Sequence, residues 1–157
     1  MRLAGCLPHL RILLVTLWAG SLWTIGYLAA PVLFATLPDR SMAGSIAGRW
    51  FSAEAWLSLA CGLLLLLLVW MDKAMSTKRS IYVFIVAMLV CVLVGYFGLQ
   101  PFMADIRAAA ASNGGVMDEA LRSRFGMLHG IASVIYLMQS VLAAALVVKI
   151  SRTSSLA

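Results

Sequence analysis

Four long apolar runs constrain this chain more than any other feature. They fall at about residues 10–36, 53–71, 80–99 and 126–149. The plainest are "AWLSLACGLLLLLLVWM" at 55–71 and "IYVFIVAMLVCVLVGYFGL" at 81–99. A helix needs roughly 20 mostly apolar residues to cross the hydrocarbon of a bilayer. In lipid every backbone N–H and C=O must find its partner inside the protein, which leaves helices and closed barrels as spanning structures. The runs are too long, and alternate too weakly, for barrel strands. The fold they predict is all-α and integral to the membrane: a four-transmembrane-helix up-down bundle in one domain, 1–157. Composition agrees. The chain is 63% hydrophobic and 11% charged, against roughly 45–50% and about 25% in soluble domains. The lipid bilayer is therefore its first partner.

The formal charge is +6, from 12 basic and 6 acidic residues. The basic residues sit in short segments between apolar runs and form no dense cluster, so nucleic acid is not expected as a partner. They set orientation instead. Arg2, Arg11, Lys73, Lys78, Arg79, Lys149 and Arg152 fall on one side of the bundle, and Arg40, Arg49, Arg107, Arg122 and Arg124 on the other. The expected topology has both termini and the 72–79 link in the cytoplasm of a bacterial cell, with the protein in the inner membrane. "LAGC" at 3–6 matches a lipoprotein cleavage box, but with only Met1 and Arg2 before it here lipidation at Cys6 is not expected.

The two longer connections read as helix. In "SMAGSIAGRWF", Met42, Ile46 and Trp50 recur every four residues, a helical period. Pro38 and Asp39 suit a helix start, and Pro31 predicts a kink in the first helix. "QPFMADIRAAAAS" is a strong helix former that stops at Asn113, Gly114 and Gly115; Asp118 and Glu119 then open the last helix. The helices are thus expected to extend beyond the membrane on the outer side, as a helical cap from about 38–53 and 100–126. Its five arginines and five acids are expected to pair with one another as salt bridges.

Helix packing in lipid favours small residues that let backbones approach. Gly126, Gly130, Ser133, Leu137, Ser140 and Ala144 follow one such seam, and Gly95 and Gly98 belong to another. Ser21 and Gln139 are the mid-depth polar residues and are expected to bond to each other. No charged residue is expected in the middle of any span. Reactive constellations are sparse. His129 is a possible haem or metal ligand, but His9 is placed at the opposite side. Cys61 and Cys91 are soft ligands at similar depth, yet two thiols without a motif are ordinary packing residues. The sequence has no HExxH, no phosphate-cradling glycine loop and no dinucleotide fingerprint. No catalytic residue, cofactor or metal is expected, and the protein is not expected to be an enzyme.

"LWAGSLWTIGYLAAPVLFATLPDRSMAGSIAGRWF", "GLQPFMADIR" and "RFGMLHGIASVIYL" resemble the bacterial transmembrane-protein-205-like family, four-span proteins of unknown function. The resemblance covers nearly the whole chain. It implies a multi-pass bundle and no established activity. The positions it brings forward are Pro31, Phe34, Gly44, Gly48, Phe51, Pro101, Arg107, Phe125 and His129, and Arg49 adjoins them in the same motif. The expected role is structural or accessory, through a homo-oligomer or another membrane protein. The alternatives are a transporter or binder of a small or amphipathic molecule, in a cleft beside the kinked first helix, and a redox protein using His129.

Overall fold

The structure, a computed structural model, describes residues 2–72, 78–112 and 116–154. Lys73 and the Asn113-Gly114-Gly115 stop lie outside the described residues. Among the described residues six α-helices form four rods: α1 (Arg2–Trp23) runs through a π-helical segment (Thr24–Ala29) into α2 (Ala30–Thr36); α3 (Arg40–Met71) is unbroken; α4 (Lys78–Val92) runs through a second π segment (Leu93–Leu99) into α5 (Gln100–Ser112); and α6 (Glu119–Ser154) is unbroken. Within them Cys6–Thr36, Arg40–Met71, Lys78–Ser112 and Glu119–Thr153, of 31, 32, 35 and 35 residues, are apolar enough to cross a membrane. At 1.5 Å per residue each measures about 46–52 Å, against about 30 Å of hydrocarbon. The protein is a multi-pass, all-α four-helix bundle. We call the end with the two termini the terminal end and the other the distal end.

Local chemistry sets the rod boundaries. Leu37 is extended because the ring of Pro38 disfavours a helical conformation in the residue before it. Asp39 then caps α3, its Oδ1 accepting from the backbone N–H of Ser41 at 2.8 Å and of Met42 at 3.3 Å. Asp118 does the same for α6, accepting from Leu121 N–H at 2.7 Å. Neither rod with an internal proline breaks. Pro31 and Pro101 each follow a π segment by two residues. Ala30 N–H reaches back five residues to Ile25 O, and Gln100 N–H to Gly95 O. A proline ring collides with the carbonyl four residues earlier and offers it no hydrogen. The widened turn ahead of it accommodates both problems without a break. The kink expected at Pro31 is thus a π segment at 24–29, and Pro101 carries an unexpected counterpart.

The main contacts run α1 to α3, α3 to α4, α4 to α6 and α6 to α1, a closed up-down ring. Large side chains fill the terminal half: Val15, Trp18 and Leu22 of α1, Leu65 and Val69 of α3, Ile81, Ile85 and Met88 of α4, and Leu146 and Ile150 of α6. Two cationic contacts tie this end. Arg11, buried at 2% exposure, pairs with Asp72 at 2.9 Å, and the Lys149 Nζ sits 5.6 Å from the Phe84 ring centroid. The distal half is thinner, its buried positions held chiefly by Ala30, Ala43, Ala47, Ala55 and Ala110 with Met103.

Several expectations fail here. Ser21 does not reach Gln139; its hydroxyl donates to Trp18 O, three residues back, at 2.9 Å. A serine inside a helix always has such a local acceptor. The Gln139 Nε2 is buried with no hydrogen-bond partner among the described residues. The α6 seam faces outward: Gly126, Gly130, Ser133, Leu137 and Ala144 are exposed, and only Ser140 is buried. A methyl added at Gly95, Gly126 or Gly130 would meet nothing within 4 Å, and at Gly98 only Val94 of its own helix at 3.9 Å. The close approaches belong instead to Gly26, against Tyr136, and Gly62, against Leu89 and Trp18. The regular spacing marked a helix face, but not which way that face points.

Candidate functional site

Two polar features stand out, one inside the middle of the bundle and one on its distal flank. The inner one begins at Trp18, whose side chain is fully buried. Its Nε1–H donates to Ser58 Oγ at 2.6 Å, and Ser58 Oγ donates to Glu54 Oε1 at 2.5 Å. Glu54 and Ser58 are four residues apart on α3, hence on one face. Glu54 is 5% exposed and lies about 27 Å along α3 from Asp72, near the distal edge of a hydrocarbon layer of about 30 Å. Around it, Tyr136 OH donates to Leu22 O at 2.6 Å and Tyr27 OH to Ser140 Oγ at 2.9 Å. The Tyr136 ring takes edge-on contacts from Phe51 at 5.5 Å and Tyr27 at 6.1 Å. The first π segment supplies Tyr27 and places Gly26 under the Tyr136 ring.

Glu54 therefore departs from the expected cap of acids paired with arginines. Arg11 is buried as well, and both stand towards the ends of their spans, not mid-span. Among the described residues Arg11–Asp72 is the one ion pair, and it lies at the terminal end. The cap is not held by salt bridges among these residues. Its five arginines and five acids do not meet, because α3 and α5 present arginine to each other while Asp39 and Asp118 are used as helix caps.

The flank feature is a groove of about 520 Å3 between the distal part of α3 and α5. Ser41, Ser45, Gly48, Arg49 and Ser52 line one wall; Tyr96, Gln100, Ala104, Arg107, Ala108 and Ala111 line the other. Its lining holds two cations and no acid. Arg107 is half-buried and spends one donor on Gly44 O at 3.2 Å. A methyl added at Gly48 would lie 3.4 Å from Arg107 Nη1 and 3.5 Å from Gln100 Nε2, so the bare backbone there lets both side chains lie low across the wall. At the foot of the groove Ser52 and Tyr96 share a hydrogen bond of 2.8 Å. Below it Trp56, Tyr96 and Phe97 form an edge-to-face cluster with centroids 4.9–6.4 Å apart.

Residues 13–112 match the family described as "Domain of unknown function (DUF4149)". The chain belongs to this family. Comparison with curated proteins and with solved structures gives no match. The region shared with the DUF4149 family takes in the whole groove and the Trp18–Ser58–Glu54 chain; α6 lies beyond it.

Of the positions singled out in the sequence, Gly44, Gly48, Arg49 and Arg107 gather at the groove. Phe51 turns away from it towards Tyr136. Pro31, Phe34 and Pro101 are exposed on their own helices. Phe125 and His129 stack on each other, nearly parallel, with centroids 6.1 Å apart at the distal end of α6. His9 lies on α1 near the terminal end, and Cys61 and Cys91 are both buried. No group of three or more metal-ligating side chains occurs among the described residues. Sequence reasoning missed Glu54, Trp18 and Tyr136 as site residues. The Glu54–Ser58 spacing, at the head of an apolar run, was the one local signal of a carboxyl turned inward.

Proposed function

We propose that this protein holds a small amphipathic molecule in the distal groove, as a binding protein of the bacterial inner membrane with cytoplasmic termini. The observation that carries the reading is the groove itself: a polar, cationic wall continuing directly into an aromatic patch at the level of the membrane. A cleft of several hundred Å3 with a few convergent polar groups is the usual form of a ligand site. The groove lies between the second and third rods, not beside the first as the sequence suggested. The excess of lysine and arginine at the terminal end supports the orientation. Kinship with the transmembrane-protein-205-like proteins, on "APVLFATLP" and "AGSIAGRWF", belongs to the same proposal.

A photo-crosslinking residue at Ala104, which lines the groove, is expected to capture one amphiphile in native membranes, enriched over what the same probe captures at Val83, exposed on α4. Adducts identical at the two positions would remove the reading.

The structural or accessory role is favoured by one feature, the outward α6 face of Gly126, Gly130 and Ser133, where a second helix would find room for close approach. A cysteine at Ser133 is expected to form a disulfide-linked dimer in native membranes; monomer alone would count against that role.

A further inference from the structure

We propose that the groove selects an anionic phospholipid, with Arg49 and Arg107 holding its phosphate and the Trp56–Tyr96–Phe97 cluster receiving the start of its acyl chains. This rests on the groove being a ligand site and names what it takes.

Charge comes first. Arg49 and Arg107 face one cleft from two helices, and no described acid pairs with either. A half-buried guanidinium has lost part of its hydration and, with no carboxylate in exchange, favours an incoming anion. Arginine also has the geometry: five N–H donors in a planar fork that matches phosphate oxygens two at a time. Arg107 uses one donor on Gly44 O, which fixes the side chain and leaves the others for a ligand. Gln100 and Ser45 add neutral donors on opposite walls.

The aromatic patch then selects lipid over a free anion. Trp56 is 58% and Phe97 51% exposed, directly beneath the groove. Tryptophan and tyrosine favour the headgroup level of a bilayer. A phosphate between the arginines would have its glycerol at Ser52 and Tyr96 and its chains on these rings. Two cations without an acid favour a headgroup with net negative charge over a zwitterionic one, whose ammonium would find no counter-charge among the lining residues.

The full chain is purified into nanodiscs of phosphatidylcholine containing a minor fraction of phosphatidylglycerol, and lipid retained through detergent extraction is measured by native mass spectrometry. Phosphatidylglycerol is expected to be retained over phosphatidylcholine by about tenfold, and Arg107→Gln to remove most of that preference, as loss of a charge-assisted hydrogen bond would. Arg49→Gln, at an exposed position, gives the same test should Arg107→Gln fail to fold. Arg122→Gln, an exposed cation outside the groove lining, is expected to change retention less than about twofold, as a charge-matched control. Equal loss in all three variants would reduce the effect to net charge and overturn the proposal. So would displacement of the lipid by millimolar inorganic phosphate, which would make a free anion the ligand. If a lipid is retained at the groove without regard to headgroup charge, this inference fails while the binding role stands. If the Ala104 probe shows no enrichment, the binding role itself fails.

Discussion

Trp18→Ala is expected to be the most destabilising single truncation in the bundle. Trp18 is 0% exposed and touches the Gly62 position as well as Ser58. In a bilayer the reference state is a helix still surrounded by lipid, so most of the hydrophobic gain of burial cancels. The cavity remains. At about 24 cal/mol per Å3, a void on the order of 140 Å3 costs about 3 kcal/mol. Trp18→Phe keeps most of the volume; it loses the Nε1–H···Oγ bond, about 1 kcal/mol, and leaves a smaller void of about 40 Å3, about 1 kcal/mol more. Unfolding in mixed micelles should therefore rank wild type above Trp18→Phe and Trp18→Phe well above Trp18→Ala. Near-equal midpoints for the two variants would mean that the tryptophan acts by its hydrogen bond and not by packing.

Gly26→Ala is the second. A methyl at Gly26 would fall on the Tyr136 ring. That ring cannot easily give way, because its hydroxyl is bonded to Leu22 O and its faces and edges meet Phe51 and Tyr27. Overpacking of this kind costs about 1–3 kcal/mol. Two controls sharpen the test. At Gly62 the added methyl would come to 2.5 Å from the Cδ2 of Leu89, a flexible tip that can rotate aside, and to 3.1 Å from the Trp18 ring, which need give only a few tenths of an ångström, so Gly62→Ala should cost less. At Gly20 and Gly130 it would meet nothing within 4 Å, and alanine there should leave monomer stability unchanged or slightly raised, since alanine is the better helix former. Equal midpoints for Gly26→Ala and Gly130→Ala would contradict the packing described around Tyr136.

What could be read in the sequence was local. Asp39 and Asp118 declared the starts of their helices because a cap needs only its own next three residues. The length of the rods and their apolar surface followed from runs that lipid demands. Arg49, Arg107, Gly44 and Gly48 came forward together, though as a motif and not as a cleft. What depended on distant partners was not legible. Trp18 meets Ser58 across 40 residues and Tyr27 meets Ser140 across 113, so nothing beside either residue announces the bond. Glu54 stands where an apolar run begins, and a carboxyl at such a boundary looks like any surface acid until the neighbouring helix covers it. The α6 seam failed for a complementary reason: glycine and serine at helical spacing permit close approach without requiring it.

The uneven filling of the bundle has a consequence for traffic across it. A solute that enters between Arg49 and Arg107 and moves inward comes upon Trp18, Leu22, Leu65, Ile85 and Leu146, interlocked and clamped beneath by Arg11 and Asp72. Beyond the Trp18–Ser58–Glu54 chain the core is apolar among the described residues until Arg11 and Asp72, and parting it would undo the large side chains that interlock there. The cleft is thus a cul-de-sac: cargo would leave by the door through which it came, or sideways into the same leaflet.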